Sequence, residues 1–204
     1  MVASLVAHQW PERSDLVLED LRSTQELAVI SVSLPGTQSR QIAREAIRVA
    51  IREAIGAFLS LPPALVALRS HFDRPQSLNV SGIRIGLSVS HEAGTSVAAI
   101  RLDGPVGVDI VRSATGSNPT MHWKTVALDY LGPETSRRIA RMQEEDQIVS
   151  FLRSWTHLEA RLKCLGVPLV EWSTGLGSTL SSCQTLELLG IPEVVGAIAL
   201  SRWK

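Results

Sequence analysis

The sequence predicts an α+β fold of two pseudo-twofold-related lobes, each a small antiparallel sheet packed with a long helix. Three features point there. Short runs rich in β-branched residues, bounded by Gly, Pro or polar clusters, recur as strands do. Two long stretches, Ser39–Leu59 and Glu144–Leu165, carry apolar residues at helical spacing instead. A helix followed by a pair of strands occurs twice, with the changeover near residues 104–112. The lobes are read as residues 1–106 and 107–204, with a site at the interface between them.

In chain order, residues 26–34 (ELAVISVSL) read as a strand running into a Pro35-Gly36 turn. Ser39 then caps the first helix, with Ile42, Ala46, Val49, Ala50 and Ile55 as its apolar face, and Leu61-Pro62-Pro63 ends it. The segment RSHFDRPQSL (69–78) reads as a polar loop. Ile83–Ser90 and Thr95–Leu102 read as strands, with His91-Glu92-Ala93-Gly94 in the turn between them. A further strand, Val106–Val111, follows a Gly-Pro turn, and residues 112–120 (RSATGSNPT) form a loop. Helices follow over Met121–Tyr130, Pro133–Met142 and Glu144–Leu165, and the strands Gln184–Leu189 and Val194–Leu200 close the chain.

Bulk composition narrows the function classes. The chain of 204 residues is 45% hydrophobic and 20% charged, ordinary for a globular protein. Twenty basic residues balance twenty acidic ones, so no whole-molecule attraction to nucleic acid or to an anionic membrane is expected. The longest apolar stretches, such as Ile191–Leu200, fall short of a membrane span, and the first fifteen residues lack the pattern of a secretory signal. Cys164 and Cys183 give neither a disulfide framework nor zinc-ligand spacing, and the expected location is cytoplasmic.

Chemistry concentrates in the middle of the chain. On the last long helix Phe151, Trp155, Glu159 and Lys163 lie at successive i, i+4 positions, so an aromatic stripe runs on into an acid and a base. Taken alone, the acid and base read equally as a surface helical ion pair. Asp109 sits in the apolar segment VGVDIV, on the opposite strand face from Val108 and Ile110, and by itself serves as well for a loop cap as for a ligand. Together, Asp109 and Glu159 suit a hard cation such as magnesium, which takes one or two carboxylates and completes its octahedron with water and phosphate oxygens. Lys163 stands one turn away to hold a diphosphate. His91 reads either as a turn histidine or as a donor to phosphate, and Arg74 either as a solvated loop residue or as a partner for a terminal phosphate.

In order, Arg74-Pro75, Ser88-Val89-Ser90-His91, Gly107-Val108-Asp109-Ile110 and the Trp155–Lys163 stretch (W-x-x-x-E-A-x-x-K) form one pattern over residues 70–166. It resembles the Sfp-type 4'-phosphopantetheinyl transferases, whose pattern is a G-[K/R]-P loop, a strand ending in L-S-H-S, G-[I/V]-D-[I/V]-E, and a helix reading W-x-x-K-E-A-x-x-K. The spacings resemble those of the larger, two-lobed, monomeric class. The resemblance implies transfer of the phosphopantetheine arm of coenzyme A to a serine of an acyl or peptidyl carrier protein, with Mg2+ as cofactor. It implies Asp109 and Glu159 as metal ligands, with Glu159, or water on the ion, taking the serine proton. Lys163 would stabilise the diphosphate, and Arg74, Ser90 and His91 would hold the nucleotide end. Arg40 would be a further nucleotide-contacting arginine. No partnership with nucleic acid or membrane is implied.

Four positions depart from that pattern. Val111 stands where an acid is usual, Leu158 where a lysine is usual, Glu92 where a small hydroxyl is usual, and Phe72-Asp73 on the glycine side of the first loop. Val111 and Leu158 motivate a second reading, a relative that binds coenzyme A or carrier protein without turnover. Finally, Arg40, Arg44, Arg48 and Arg52 form an i, i+4 stripe, which reads as a solvated helix face or as a surface that steers in an acidic carrier.

Overall fold

Alternation along the strands sends neighbouring side chains into two different cores. In β2 (Leu27–Ser33), Leu27 and Val29 enter one apolar cluster while Ala28 and Ile30 enter another. In β5 (Thr95–Arg101), Val97 and Ala99 go one way and Ala98 and Ile100 the other. Strands buried on both faces read as continuous apolar runs, which is why these two were legible. The computed structural model describes residues 4–24, 26–34, 39–68, 76–92, 94–113 and 122–203, and shows a mixed α+β fold around one curled eight-stranded sheet.

The other strands are β1 (Ser4–Gln9), β3 (Gln76–Val80), β4 (Ile83–Glu92), β6 (Val106–Arg112), β7 (Gln184–Leu189) and β8 (Val194–Leu200). The helices are α1 (Ser14–Arg22), α2 (Arg40–Leu59), α3 (Trp123–Val126, continued by a π-helical turn over Ala127–Leu131), α4 (Gly132–Ala140), α5 (Glu144–Leu165) and α6 (Thr174–Leu180). The sheet order is β3-β4-β5-β2-β1-β7-β8-β6. On either side of β1 the pairings are antiparallel, whereas β1 runs parallel to both β2 and β7. The two small sheets expected from sequence are therefore joined into a single mixed sheet by a strand at the N-terminus. Within it, β2-α2-β4-β5 has the strand order β4-β5-β2, and β6-α5-β7-β8 has the matching order β7-β8-β6.

Curling brings inner faces together. Side chains of β2 and β5 pack against Val106, Val108 and Ile110 of β6, Leu186 and Leu188 of β7, and Ile198 of β8. Helices α1 and α2 cover the outer face of β2, β4 and β5, and α5 lies against β6 and β8. The inward side of α2 is Ile47, Ala50, Ile51, Ala54 and Ile55, all fully buried. Each such isoleucine contributes roughly 1.5–3 kcal/mol by leaving water. The helix and its Ser39 cap agree with the sequence, the Ser39 hydroxyl accepting from Ile42 N. Its face agrees only in part, because Ala50 and Ile55 are buried but Ile42 and Val49 are exposed. The packing surface is fixed by where β2, β4 and β5 lie, and period alone does not reveal that.

Three more expectations change. His91 and Glu92 belong to β4, paired with Ser96 and Thr95, and the turn is shortened to a tight one with Gly94 at φ 78. The end of the supposed loop, Gln76–Leu78, belongs to strand β3 (Gln76–Val80) at the edge of the sheet. The helix expected from Met121 starts at Trp123 among the described residues.

Two close approaches set the site. β6 ends the sheet, and its outward-facing Val108 and Ile110 amides donate to the Ser88 and Ser90 hydroxyls of β4 at 3.0 and 3.3 Å. A strand edge that would otherwise leave buried donors unpaired is thereby satisfied by side chains. On its other side β6 lies so close to α5 that a Cβ at Gly107 would stand 1.9 Å from the Ala160 carbonyl oxygen and 2.6 Å from Cys164 N. Gly107→Ala should therefore push α5 off β6 and destabilise the protein by about 2–3 kcal/mol. The measurement is a urea unfolding curve, and an unchanged midpoint would contradict this packing.

Candidate active site at the ends of β4 and β6

Helix α5 carries its acid and base where β6 ends. Glu144, Glu145 and Asp146 in its first turn oppose the positive end of the helix dipole, and Gly166 in the left-handed region (φ 65) stops it after Leu165. The stripe Phe151, Trp155, Glu159, Lys163 faces inward: Phe151 is 1% exposed, and the other three are half-buried. Trp155, Glu159 and Lys163 line a cavity of about 600 Å³ with Asp109, Ile110 and Val111 from β6, Val89–Glu92 from β4, and Arg40 and Arg44 from the first turns of α2.

Asp109 is 8% exposed, so its carboxylate needs partners in place of water. It has two. The Ser90 hydroxyl donates to Asp109 Oδ1 at 2.9 Å, and the Lys163 ammonium donates to the same oxygen at 2.7 Å. Lys163 Nζ also donates to the Val108 carbonyl at 3.1 Å and to Ser90 Oγ at 3.2 Å. The ion pair of Lys163 is thus with the adjacent strand β6.

Glu159 has its pKa raised, first by burial and then by the nearby charge of Asp109, with Lys163 pulling the other way. Two carboxylates that repel one another at the wall of one cavity form a donor pair that a cation would relieve. Among the described residues no group of three or more His, Cys, Asp or Glu could hold a metal ion; Asp109 and Glu159 are the two carboxylates here that could contribute to one, with water and substrate oxygens needed for the rest of its shell. Val111, half-buried on the cavity wall, supplies no third oxygen.

The part of the lining from α2 and β4 carries Arg40, Arg44 and His91, together with Glu92. His91 Nδ1 lies 2.8 Å from the Ser96 hydroxyl, which reaches toward the Ala43 carbonyl of α2 at 3.5 Å. Its pKa is lowered by burial, then by the charges of Arg44, Lys163 and Arg40. Those neighbours leave a positive field that an anion entering between α2 and β4 would neutralise. Arg44 is a residue of this wall that the sequence reading placed only in the arginine stripe; its spacing of four from Arg40 was the available signal. Arg48 does not line the cavity, and Arg52 lies 3.5 Å from Glu45.

The structure thus brings Asp109, Glu159, Lys163, Ser90, His91 and Arg40 to one cavity. Arg74 lies outside the described residues. Leu158 is buried with Leu162, Leu176 and Leu180, a place where a lysine would lose its water. Compared with known proteins, the chain matches no family model and no curated sequence.

The raised pKa of Glu159 has a thermodynamic sign. Folding favours its protonated form, so its ionisation opposes folding as pH rises from 4.5 through the higher folded-state value, and the cost is complete above that value. Glu159→Gln should accordingly raise Tm at pH 7, with the gain vanishing below pH 4.5, where the glutamate is protonated in both states. Thermal unfolding at the two pH values checks this. A lower Tm at pH 7 would show that the glutamate is stabilised by the fold.

Proposed function

We propose that this chain is a magnesium-dependent 4'-phosphopantetheinyl transferase acting on coenzyme A and an acyl or peptidyl carrier protein. The observation that carries the reading is one cavity that gathers an acidic pair and a lysine, Asp109, Glu159 and Lys163, with the basic groups Arg40, Arg44 and His91. Such a cavity suits a ligand with a diphosphate at one end of its reach and a phosphate monoester at the other. The repeated β-α-β-β order supports two lobes, residues 1–106 and 107–204; the proposed enzyme works as a monomer in the cytoplasm.

In this mechanism the basic groups hold the nucleotide end of coenzyme A, with Arg74 as a further contact. Lys163 neutralises the diphosphate. The carrier serine oxygen forms a bond to the β-phosphorus, the bond from that phosphorus to the bridging oxygen breaks, and 3',5'-ADP leaves with the bridging oxygen. The serine proton passes to Glu159, which lines the cavity beside Lys163. Magnesium held by Asp109 and Glu159 would supply charge neutralisation of the diphosphate. Positioning and electrostatics account for most of the rate in phosphoryl-type transfers.

A second reading is favoured by Val111, an apolar side chain at the cavity wall beside the acidic pair. It is a chain that binds coenzyme A or carrier protein but does not turn over. One experiment separates the two. Purified protein with coenzyme A and Mg2+ should add about 340 Da to an apo carrier protein, and Asp109→Ala or Glu159→Ala should slow transfer about a hundredfold or more. A rise in Tm with coenzyme A, with no mass shift on any of several apo carriers, would establish the binding-only reading. Neither effect, with Mg2+ and Mn2+ both tried, would overturn both.

A further inference from the structure

We propose that Ser90 is a positioning residue that aims the Asp109 carboxylate, and that it is not a ligand for the nucleotide end of coenzyme A. The argument is one of valence. A serine hydroxyl has one proton to donate and two lone pairs to accept with. In Ser90 all three are in use: the proton goes to Asp109 Oδ1 at 2.9 Å, and the oxygen accepts from Ile110 N at 3.3 Å and from Lys163 Nζ at 3.2 Å. The side chain is 6% exposed. A phosphate could be served by this hydroxyl only if it released the carboxylate.

Its neighbour on the same strand face shows what the extra contact adds. Ser88, two residues earlier and also buried, accepts from Val108 N at 3.0 Å. Both serines close the free edge of β6. Only Ser90 also touches the carboxylate and the lysine. Because it is anchored on β4 and Lys163 on α5, the same oxygen of Asp109 is tied to two elements from different parts of the chain, and the three groups close a triangle of hydrogen bonds. The second carboxylate oxygen is thereby set in orientation, which is the geometry a cation and diphosphate would require.

This proposal rests on the transferase reading for its kinetic arm, and a second readout stands apart from activity. In Ser90→Ala, kcat should fall about ten- to a hundredfold, the loss expected for a hydrogen bond to a charged group. KM for coenzyme A should stay within about twofold, since the nucleotide wall is intact. Ser88→Ala should keep kcat, and Ser90→Thr should recover most of what Ser90→Ala loses. Should Ser90→Ala not fold, Ser90→Cys, close in size and a weak donor, should show the same loss. Independently of activity, the carboxyl 13C signal of Asp109 should move in Ser90→Ala and stay in place in Ser88→Ala. A raised KM with kcat unchanged would overturn the proposal in favour of a ligand role, and equal kcat losses in the two alanine variants would reduce Ser90 to a structural tie. An unmoved Asp109 signal would also overturn it. If the native protein transfers nothing, the transferase reading fails, and the Asp109 signal alone decides the role of Ser90.

Discussion

A carboxylate enclosed at the end of a strand is stable only if charge and hydrogen-bond donors replace the water it has lost. Asp109 obtains both from elements distant in sequence, the Ser90 hydroxyl from β4 and the Lys163 ammonium from α5. Those two donors make β6 more than the last strand of the sheet. One side of it is closed by the serines of β4, and the other carries α5 close enough that only glycine fits at position 107.

The cavity is divided electrostatically. On the α5 wall two carboxylates face one lysine, and burial together with Asp109 holds the Glu159 carboxyl toward its neutral form. Burial, with the charges of Arg44, Lys163 and Arg40, holds His91 toward its neutral form. Both groups sit in environments that oppose their own charge, so each side is prepared to receive a species of opposite sign: a cation by the acids, an anion by the bases. Such preparation opposes folding, and sites of this kind commonly trade stability for activity.

Sequence made much of this legible, and the limits have physical causes. Helix α5 was found to its ends because acidic residues open it and a glycine closes it. Strands β2, β5, β7 and β8 stood out because apolar runs flanked by breakers leave few alternatives. β1 (SLVAHQ) did not, since its pairing with β2 and β7 is non-local and its own pattern is mixed. β3 did not, because an edge strand of Gln, Ser and Asn looks like loop. The side of α2 that is buried depended on where β2, β4 and β5 pass beneath it. In the site, Asp109, Glu159 and Lys163 were legible as residue types in a spaced pattern. That Ser90 turns its hydroxyl inward to Asp109, and that Arg44 joins Arg40 at the wall, follow from the docking of β4 on β6 and α2 on β4, which no local pattern encodes.

The central claim is that Asp109 and Glu159 act as one cation site that grips a diphosphate. Calorimetric titration of coenzyme A with and without Mg2+ tests it most directly. The account predicts that Mg2+ tightens coenzyme A binding about tenfold or more, a coupling of the size usual between linked sites, and that Asp109→Asn abolishes the gain. An affinity for coenzyme A that is the same with and without the ion, in the native protein and in Asp109→Asn alike, would contradict it.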